Sequence, residues 1–296
     1  MTTAASAGGR SRRSLRDLTG NRWSLLMLPG VVFLAVFFLA PLVMMSLRSV
    51  TDPQDAGLSN YTRFFADEAY LRVLINTFWI ALVSTVTCLV VGYPFAYLMT
   101  VVSGRVAGLL LIAVLLPFWS SLLVRTFAWQ VILRDTGIIN RFLLDLGLIS
   151  SPLTLIRTTL GVILGMSHIL LPFMVLPLYA VMRRIDPEYG RAAANLGAPP
   201  MSAFLRVFVP LSLPGVVAGC LLVFVLALGF YITPALLGGL HDQMISQLIV
   251  QQIQQRLDWG FGTAMSVVLM VITLVILFVA SRLVRLRDVF GSAVEE

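Results

Sequence analysis

Six long apolar runs, separated by short polar stretches, set the pattern of the chain: residues 24–47, 74–100, 107–131, 156–182, 213–239 and 261–284. A helix needs about 20 apolar residues to cross the hydrocarbon of a bilayer, so each run is long enough to span. The pattern predicts an all-α membrane protein with six transmembrane helices. The first run is too long for the apolar core of a secretion signal. It also lacks a small-residue cleavage site, and so reads as a retained span. Pro29, Pro41, Pro94, Pro117, Pro172, Pro177 and Pro234 interrupt the runs, which predicts bends. Two small-residue faces, GVILG (161–165) and GVVAG (215–219), predict close helix contacts. With 58% hydrophobic and 12% charged residues, and a mean hydropathy of +0.93, the chain lies far from the globular average.

Charge fixes the expected orientation. The chain has no lysine, and a cytoplasmic N-terminus puts thirteen of its 21 arginines inside and seven outside, with Arg125 within a span. That asymmetry follows the positive-inside rule and sends both termini to the cytoplasm. It also accounts for the net charge of +7, so no nucleic-acid partner is needed. The organisation expected is a flexible Ser-, Gly- and Arg-rich cytoplasmic arm over 1–22, lying near anionic lipid, a six-helix domain over 23–285 and a cytoplasmic tail over 286–296. Cys88 and Cys220 both fall inside spans, where cysteine is a small packing residue rather than a disulfide or metal pair.

This topology places residues 183–212 in the longest internal loop. In RIDPEYGRAAANLG, Asp186 can cap a helix, Pro187 can open it, Glu188 suits its positive end, and Gly197 can close it in a left-handed conformation. Pro199 and Pro200 then start a second helix, expected to end at Pro210 before the chain re-enters the membrane. Tyr189 and Leu196 offer apolar anchors, while Ala192, Ala193 and Ala194 let another backbone come close. The result is either a plug for a groove in a partner or an amphipathic connector on the bilayer surface.

The loop resembles the "EAA" segment of permease subunits in binding-protein-dependent ABC importers, on the spacing of Ala192, Ala193, Gly197, Pro210, Leu213 and Pro214. NYTRFF (60–65), LPFWSSLLVRTFAW (116–129), LPFMVLPLYAVMRRIDPEYGRAAANLGA (171–198) and TPALLGG (233–239) extend the resemblance to the spermidine/putrescine PotB-like family over about residues 22–285. One departure stands out. Arg191 occupies the place of the family's usual glutamate, which is thought to interact with the ATPase, and Glu188 lies one turn earlier.

The resemblance implies a type I importer permease of MetI-like architecture, multi-pass in the bacterial inner membrane. It implies a second permease subunit, its own copy or, as the family's habit favours, a different chain, together with two cytoplasmic ATPases and an extracytoplasmic solute-binding protein. Glu188, Tyr189, Arg191, Ala192, Ala193, Leu196, Gly197, Phe204, Pro210 and Pro214 become the ATPase-coupling candidates. The chain contains no G-x-x-x-x-G-K-[ST] phosphate loop, so it is expected to bind no cofactor itself, with ATP and Mg used by the partner ATPase. It is expected not to be an enzyme.

Candidates for the translocation path cluster toward the outer side. Arg125 is the one charge inside a span, and Trp119, Ser120, Ser121, Thr126 and Trp129 surround it in sequence. Aromatic faces hold organic cations, but they also form ordinary interfacial belts, and Arg125 can snorkel. Tyr231 and Thr233 lie just before Pro234, with two glycines following, predicting local unwinding and a gate at the outer mouth. No span carries Asp or Glu, so a polyamine would find no carboxylate there. An amino-acid derivative, an opine-like compound or another small organic solute stays open beside the polyamines. The segments 60–74 and 241–260 have helical periodicity with polar faces, and are expected to lie on the outer surface and meet the binding protein.

Two rival classes fit less well. An ion-coupled secondary transporter needs coupling groups at mid-membrane or a clear internal repeat, and the sequence offers neither. An intramembrane hydrolase needs a nucleophile with a placed base. Ser167 and His168 are adjacent on a helix and point apart.

Overall fold

The structure, a computed structural model, describes residues 22–52 and 57–292, with side chains over 27–52 and 57–282. Apart from Arg22, the expected N-terminal arm lies outside the described residues, as do the last four residues of the expected tail. Among the described residues every regular element is a helix.

The first span joins α1 (Arg22–Leu34) to α2 (Ala40–Thr51) through a π turn at Ala35–Leu39. A short outer helix, α3 (Ser59–Ala66), leads into α4 (Glu68–Val101). Next come α5 (Gly104–Leu115) and α6 (Leu122–Ile132), then α7 (Ile138–Asp145) and α8 (Thr159–Met182). After α9 (Pro187–Asn195), α10 (Pro200–Ala203) runs through a second π turn, Phe204–Phe208, into α11 (Val209–Leu228). The chain closes with α12 (Ile232–Leu237), α13 (Ile245–Val250), a third π turn at Gln251–Gln255 and α14 (Trp259–Ser292). Five helical stretches are long and apolar enough to cross a bilayer. The pair α5–α6 makes a sixth only as a broken span.

That break goes further than the bend expected at Pro117 within the run 107–131. A 3-10 turn, Leu116–Trp119, ends α5, and the chain bends by 99° before α6. Pro117 has no N–H to donate, and Ser120 and Ser121 take extended backbone with ψ of 147° and 142°. The Ser120 hydroxyl donates to the Pro117 carbonyl at 2.8 Å, a local bond that competes with the helix ladder.

Pro210 does the opposite of what the sequence suggests. The helix does not stop there but continues from Pro200 to Leu228. The π turn explains it: a proline ring strikes the carbonyl four residues back, here that of Arg206, and the wider turn draws this carbonyl aside. Pro41 follows the π turn of the first span in the same register. Pro94, Pro172, Pro177 and Pro214 are carried inside unbroken helices.

At the centre α4, α8 and α11 pack on one another. Met166, Leu170, Met174, Leu178 and Met182, every fourth residue of α8, are buried between the other two helices. Small residues set the spacing. A Cβ added at Gly92 of α4 would lie 3.0 Å from Met174 Cγ. One at Gly219 of α11 would lie 2.7 Å from the Met174 sulfur and 3.2 Å from its carbonyl. Gly215 is equally confined, against Val181 and Pro177, so the expected close face at 215–219 is present. Gly165, of the other expected face, admits Leu237 and Thr233 of α12. A second cluster, Phe64, Ile245, Phe261 and Met265, ties α3, α13 and the start of α14 together on the outer side. The Arg63 guanidinium covers the Phe261 ring at 4.1 Å and pairs with Asp258 at 2.9 Å. By contrast, Val31 to Leu39 present apolar side chains that nothing in the described chain covers, the surface a bilayer requires.

Gly219→Leu should destabilise the protein by roughly 1–3 kcal/mol, because no rotamer clears the α8 backbone. Thermal unfolding of the purified protein checks this. Gly108→Ala, where a Cβ meets nothing within 4 Å, should leave the midpoint unchanged or slightly raised.

Candidate coupling and translocation sites

The internal segment folds as its residues dictate. Asp186 accepts the Glu188 N–H at 2.9 Å, and Pro187 opens α9. At the other end Gly197 has φ +83°, its N–H bonding Ala194 O at 2.9 Å while the Ala198 N–H reaches Ala193 O at 3.0 Å. This pair of bonds is the Schellman closure, which needs a residue comfortable in the left-handed region. No residue of α9 is buried, and Leu196 is 89% exposed. Tyr189, Arg191 and Ala192 are exposed, while Ala193 faces partly inward. Arg191 lies 3.7 Å from Glu188, so the substituted position holds the carboxylate one turn away in a solvent-screened pair.

Behind α9 is an aromatic clamp. Phe204 and Phe208, one π turn apart, stack at 5.6 Å. Tyr97 of α4 meets both edge-on, at 5.1 and 5.0 Å, and Tyr93 meets Phe204 at 6.4 Å. The Tyr93 hydroxyl bonds Ser212 at 2.8 Å, fastening α4 to the start of α11. Only Phe204 of this set stood out in the sequence. The four-residue spacing of Tyr93 with Tyr97 and of Phe204 with Phe208 was the available signal. A cavity of about 660 Å³ lies between the clamp and α9, lined by Tyr97, Thr100, Tyr179, Tyr189 and Phe204 among others.

The outer candidates separate into three places. Trp119, 79% exposed, and Ser120 sit at the α5–α6 bend. Arg125 and Trp129 share one face of α6, and Trp129 meets His168 of α8 edge-on at 5.6 Å. The Arg125 Nε and His168 Nδ1 are buried without a hydrogen-bond partner among the described residues, as is the Ser167 hydroxyl. Ser167 and His168 make no dyad. Next to Arg125, Thr126 lies 3.3 Å from Thr233, and this buried contact joins α6 to α12. Tyr231 stands in the non-helical link between α11 and α12, so the expected unwinding at that point is present. Its ring lines a different, outer pocket with Arg157 and Gln251.

A buried carboxylate beside that pocket carries no local sequence signal. Asp242 accepts bonds from the Thr159 hydroxyl and, at 2.8 Å, from the Gly239 N–H. No group of three or more potential metal ligands occurs among the described residues.

A bundle of proline-bearing spans, with a capped helix exposed at one end and polar side chains gathered at the other, is the architecture of an importer permease. Comparison with known proteins carries this further. The family described as the binding-protein-dependent transport system inner membrane component matches residues 25–288. The spermidine/putrescine transport system permease protein PotB of Escherichia coli K12 is 38% identical over 265 residues, covering 87% of this chain and 96% of that protein. The molybdenum transport system permease protein ModB of Mycobacterium bovis is 30% identical, covering 88% and 94%. Among solved structures, a bacterial ABC transporter involved in the import of the acidic polysaccharide alginate superposes with a TM-score of 0.71, covering 91% of this chain and 97% of that one at 19% identity. The chain belongs to the binding-protein-dependent transport family. It is a PotB-like permease subunit of an ABC importer in the inner membrane, a transporter component and not an enzyme.

Asp242→Ala should destabilise the protein by about 1–3 kcal/mol, since it strands the Thr159 hydroxyl and the Gly239 N–H. Thermal unfolding should place it below wild type, with the exposed control Asp135→Ala unchanged.

Proposed function

We propose that this permease lines one half of a translocation path, with a second permease of different sequence as the other half. Two ATPases, which use ATP and Mg, dock on α9, and an external binding protein delivers the solute. The solute is a small organic amine, a polyamine or a related amine or amino-acid derivative, in keeping with the spermidine/putrescine permeases among the relatives. The single observation that carries the coupling assignment is α9 itself: a helix capped at both ends, fully outside the core and offering Tyr189 and Leu196 to a groove.

The internal loop, 183–212, acts as the lever between flanking membrane segments of the 23–285 domain. Glu188, Arg191, Ala192, Ala193, Leu196 and Gly197 form its docking end, and Phe204, Pro210 and Pro214 its transmitting arm. When the ATPase pair closes, α9 is pushed as a rigid piece. Movement passes through the clamp of Phe204 and Phe208 on Tyr93 and Tyr97 into α4 and α11, and the bundle rocks from inward-open to outward-open. On the outer side Trp119, Ser120, Arg125, Trp129, Tyr231 and Thr233 belong to the path, with the link at Tyr231 as its gate.

The test is the full complex of permeases, ATPases and binding protein in proteoliposomes. Gly197→Val puts a β-branched residue at φ +83°, where nothing but backbone strain opposes it. It should cut solute uptake at least tenfold, by analogy with a lost capping contact of about 1.4 kcal/mol or more, while ATP hydrolysis persists. Tyr97→Ala should uncouple in the same direction. Normal uptake by both variants would remove the coupling assignment.

A further inference from the structure

Between α12 and α13 the chain is almost without helix. Residues 238–244 make a single 3-10 turn, Leu240–Asp242, so much of their backbone has no ladder to join. At the mouth of a membrane protein such groups need partners from elsewhere in the chain. Asn76, near the outer end of α4, serves two of them: its amide donates to the His241 and Gln243 carbonyls, each at 3.0 Å. An asparagine amide has two N–H donors, and both are used on this one segment. The next residue, Thr77, is buried. Its hydroxyl donates to the Val73 carbonyl at 2.7 Å, which leaves its oxygen to accept the Ile245 N–H at 2.8 Å. Two adjacent residues of α4 thus hold three backbone groups of a segment 165 residues further along the chain.

The other end of the segment belongs to α11. That helix stops at Leu228, and Gly229 to Tyr231 link it to α12. The Ser246 hydroxyl donates to the Phe230 carbonyl at 2.5 Å, closing the base of the excursion. The stretch 229–245 is therefore strung between the outer ends of two helices, joined to α11 by the chain itself and to α4 by hydrogen bonds. Its middle touches other elements. Thr233 meets Thr126 of α6, Asp242 accepts from Thr159 of α8, and Gly239 lies against the carbonyl of Arg157, a left-handed residue at φ +59°.

The inner clamp joins the same two helices. Tyr97 of α4 meets Phe204 and Phe208, and Tyr93 bonds Ser212 of α11. Farther out, the rings of Phe78 on α4 and Phe224 on α11 lie 6.1 Å apart. From Asn76 to Tyr93 α4 is a helix without proline, about 26 Å long. Packed helices and hydrogen bonds of this kind carry displacement between distant sites.

We infer that Asn76 and Thr77 are positioning residues of transport. They tie the outer gate to α4, so that the movement which α9 delivers to the clamp draws the ends of segment 229–245 away from Thr126 and Thr159 and opens the mouth. The inference rests on the reading of the Tyr231 link as the gate, and adds what drives it. Neither residue needs to touch the solute.

The full complex with its binding protein tests this, in a protein lacking Cys88 and Cys220 and carrying Thr233→Cys, a buried position on the segment. A membrane-impermeant thiol reagent added from outside should label that thiol slowly without nucleotide, and rapidly once a non-hydrolysable ATP analogue holds the ATPases closed. Asn76→Ala should abolish the acceleration. In the otherwise unaltered complex it should slow uptake roughly tenfold, the factor carried by two net hydrogen bonds, while ATP hydrolysis continues. Thr77→Val keeps the shape but removes the acceptor, and should blunt the acceleration. Asn140→Ala separates transmission from stability, because Asn140 is buried and bonds the Arg134 and Leu153 carbonyls at another outer turn. It should lower the unfolding midpoint and leave the acceleration intact. Undiminished acceleration in Asn76→Ala, or in Thr77→Val where Asn76→Ala does not assemble, overturns the inference while the gate reading stands. Equal loss in Asn140→Ala overturns it too, since destabilisation alone would then explain the effect. No acceleration with Asn76 and Thr77 intact removes the gate reading, and the inference with it.

Discussion

The close approach of α4, α8 and α11 governs everything else in this molecule. In a bilayer, lipid tails are as apolar as leucine, so helices gain little by hiding apolar side chains from their surroundings. They associate where backbones can come near enough for dense van der Waals contact. Met174 of α8 is gripped at that distance by Gly92 on one side and Gly219 on the other. Widen either glycine and the three-helix core opens, and with it the register between the inner and outer ends. The polar equipment at both ends depends on this core for its spacing.

The departures from straight helix at Pro41, Pro117 and Pro210 share one physical cause, a local shortage of backbone hydrogen bonds that lipid cannot repair. At Pro41 and Pro210 a π turn absorbs the shortage and the span continues. At Pro117 two serines follow, the helix breaks, and α6 leaves at 99°. That bend brings Arg125 and Trp129 against α8, and Thr126 against Thr233. At the inner end, the π turn after α10 sets Phe204 and Phe208 one above the other, so that both meet Tyr97. In the proposed mechanism this clamp makes α9 and the inner end of α4 a single body.

Much of the architecture was legible because it is written in local grammar. Asp186, Pro187 and Gly197 bound α9 in sequence as they do in space, and the small-residue faces at 161–165 and 215–219 do bring helices close. Five of the six apolar runs led to helices long enough to cross, and the remaining one to a pair of helices bent by 99°. What stayed hidden depends on partners distant in sequence. Pro210 looks like a terminator until the π turn before it is known. Arg157 looks like any loop arginine, because its left-handed backbone is fixed by Gly239, some eighty residues away. Asp242 looks exposed until Thr159 and the Gly239 N–H close over it. Periodicity reports which face of a helix is apolar, but not which neighbour meets it.

The central claim is that α9 and the inner end of α4 move together when the ATPases close. Thr100 of α4 and Gly190 of α9 line the same cavity behind the clamp. In a protein lacking Cys88 and Cys220, cysteines at these two positions can be joined by a cleavable bifunctional reagent, and ATP-driven uptake measured in the assembled complex. If the two elements move as one body, tethering leaves uptake near its untethered rate. Uptake that is lost on tethering and returns on cleavage would mean that α9 slides against α4 during the cycle, and the rigid lever would be wrong.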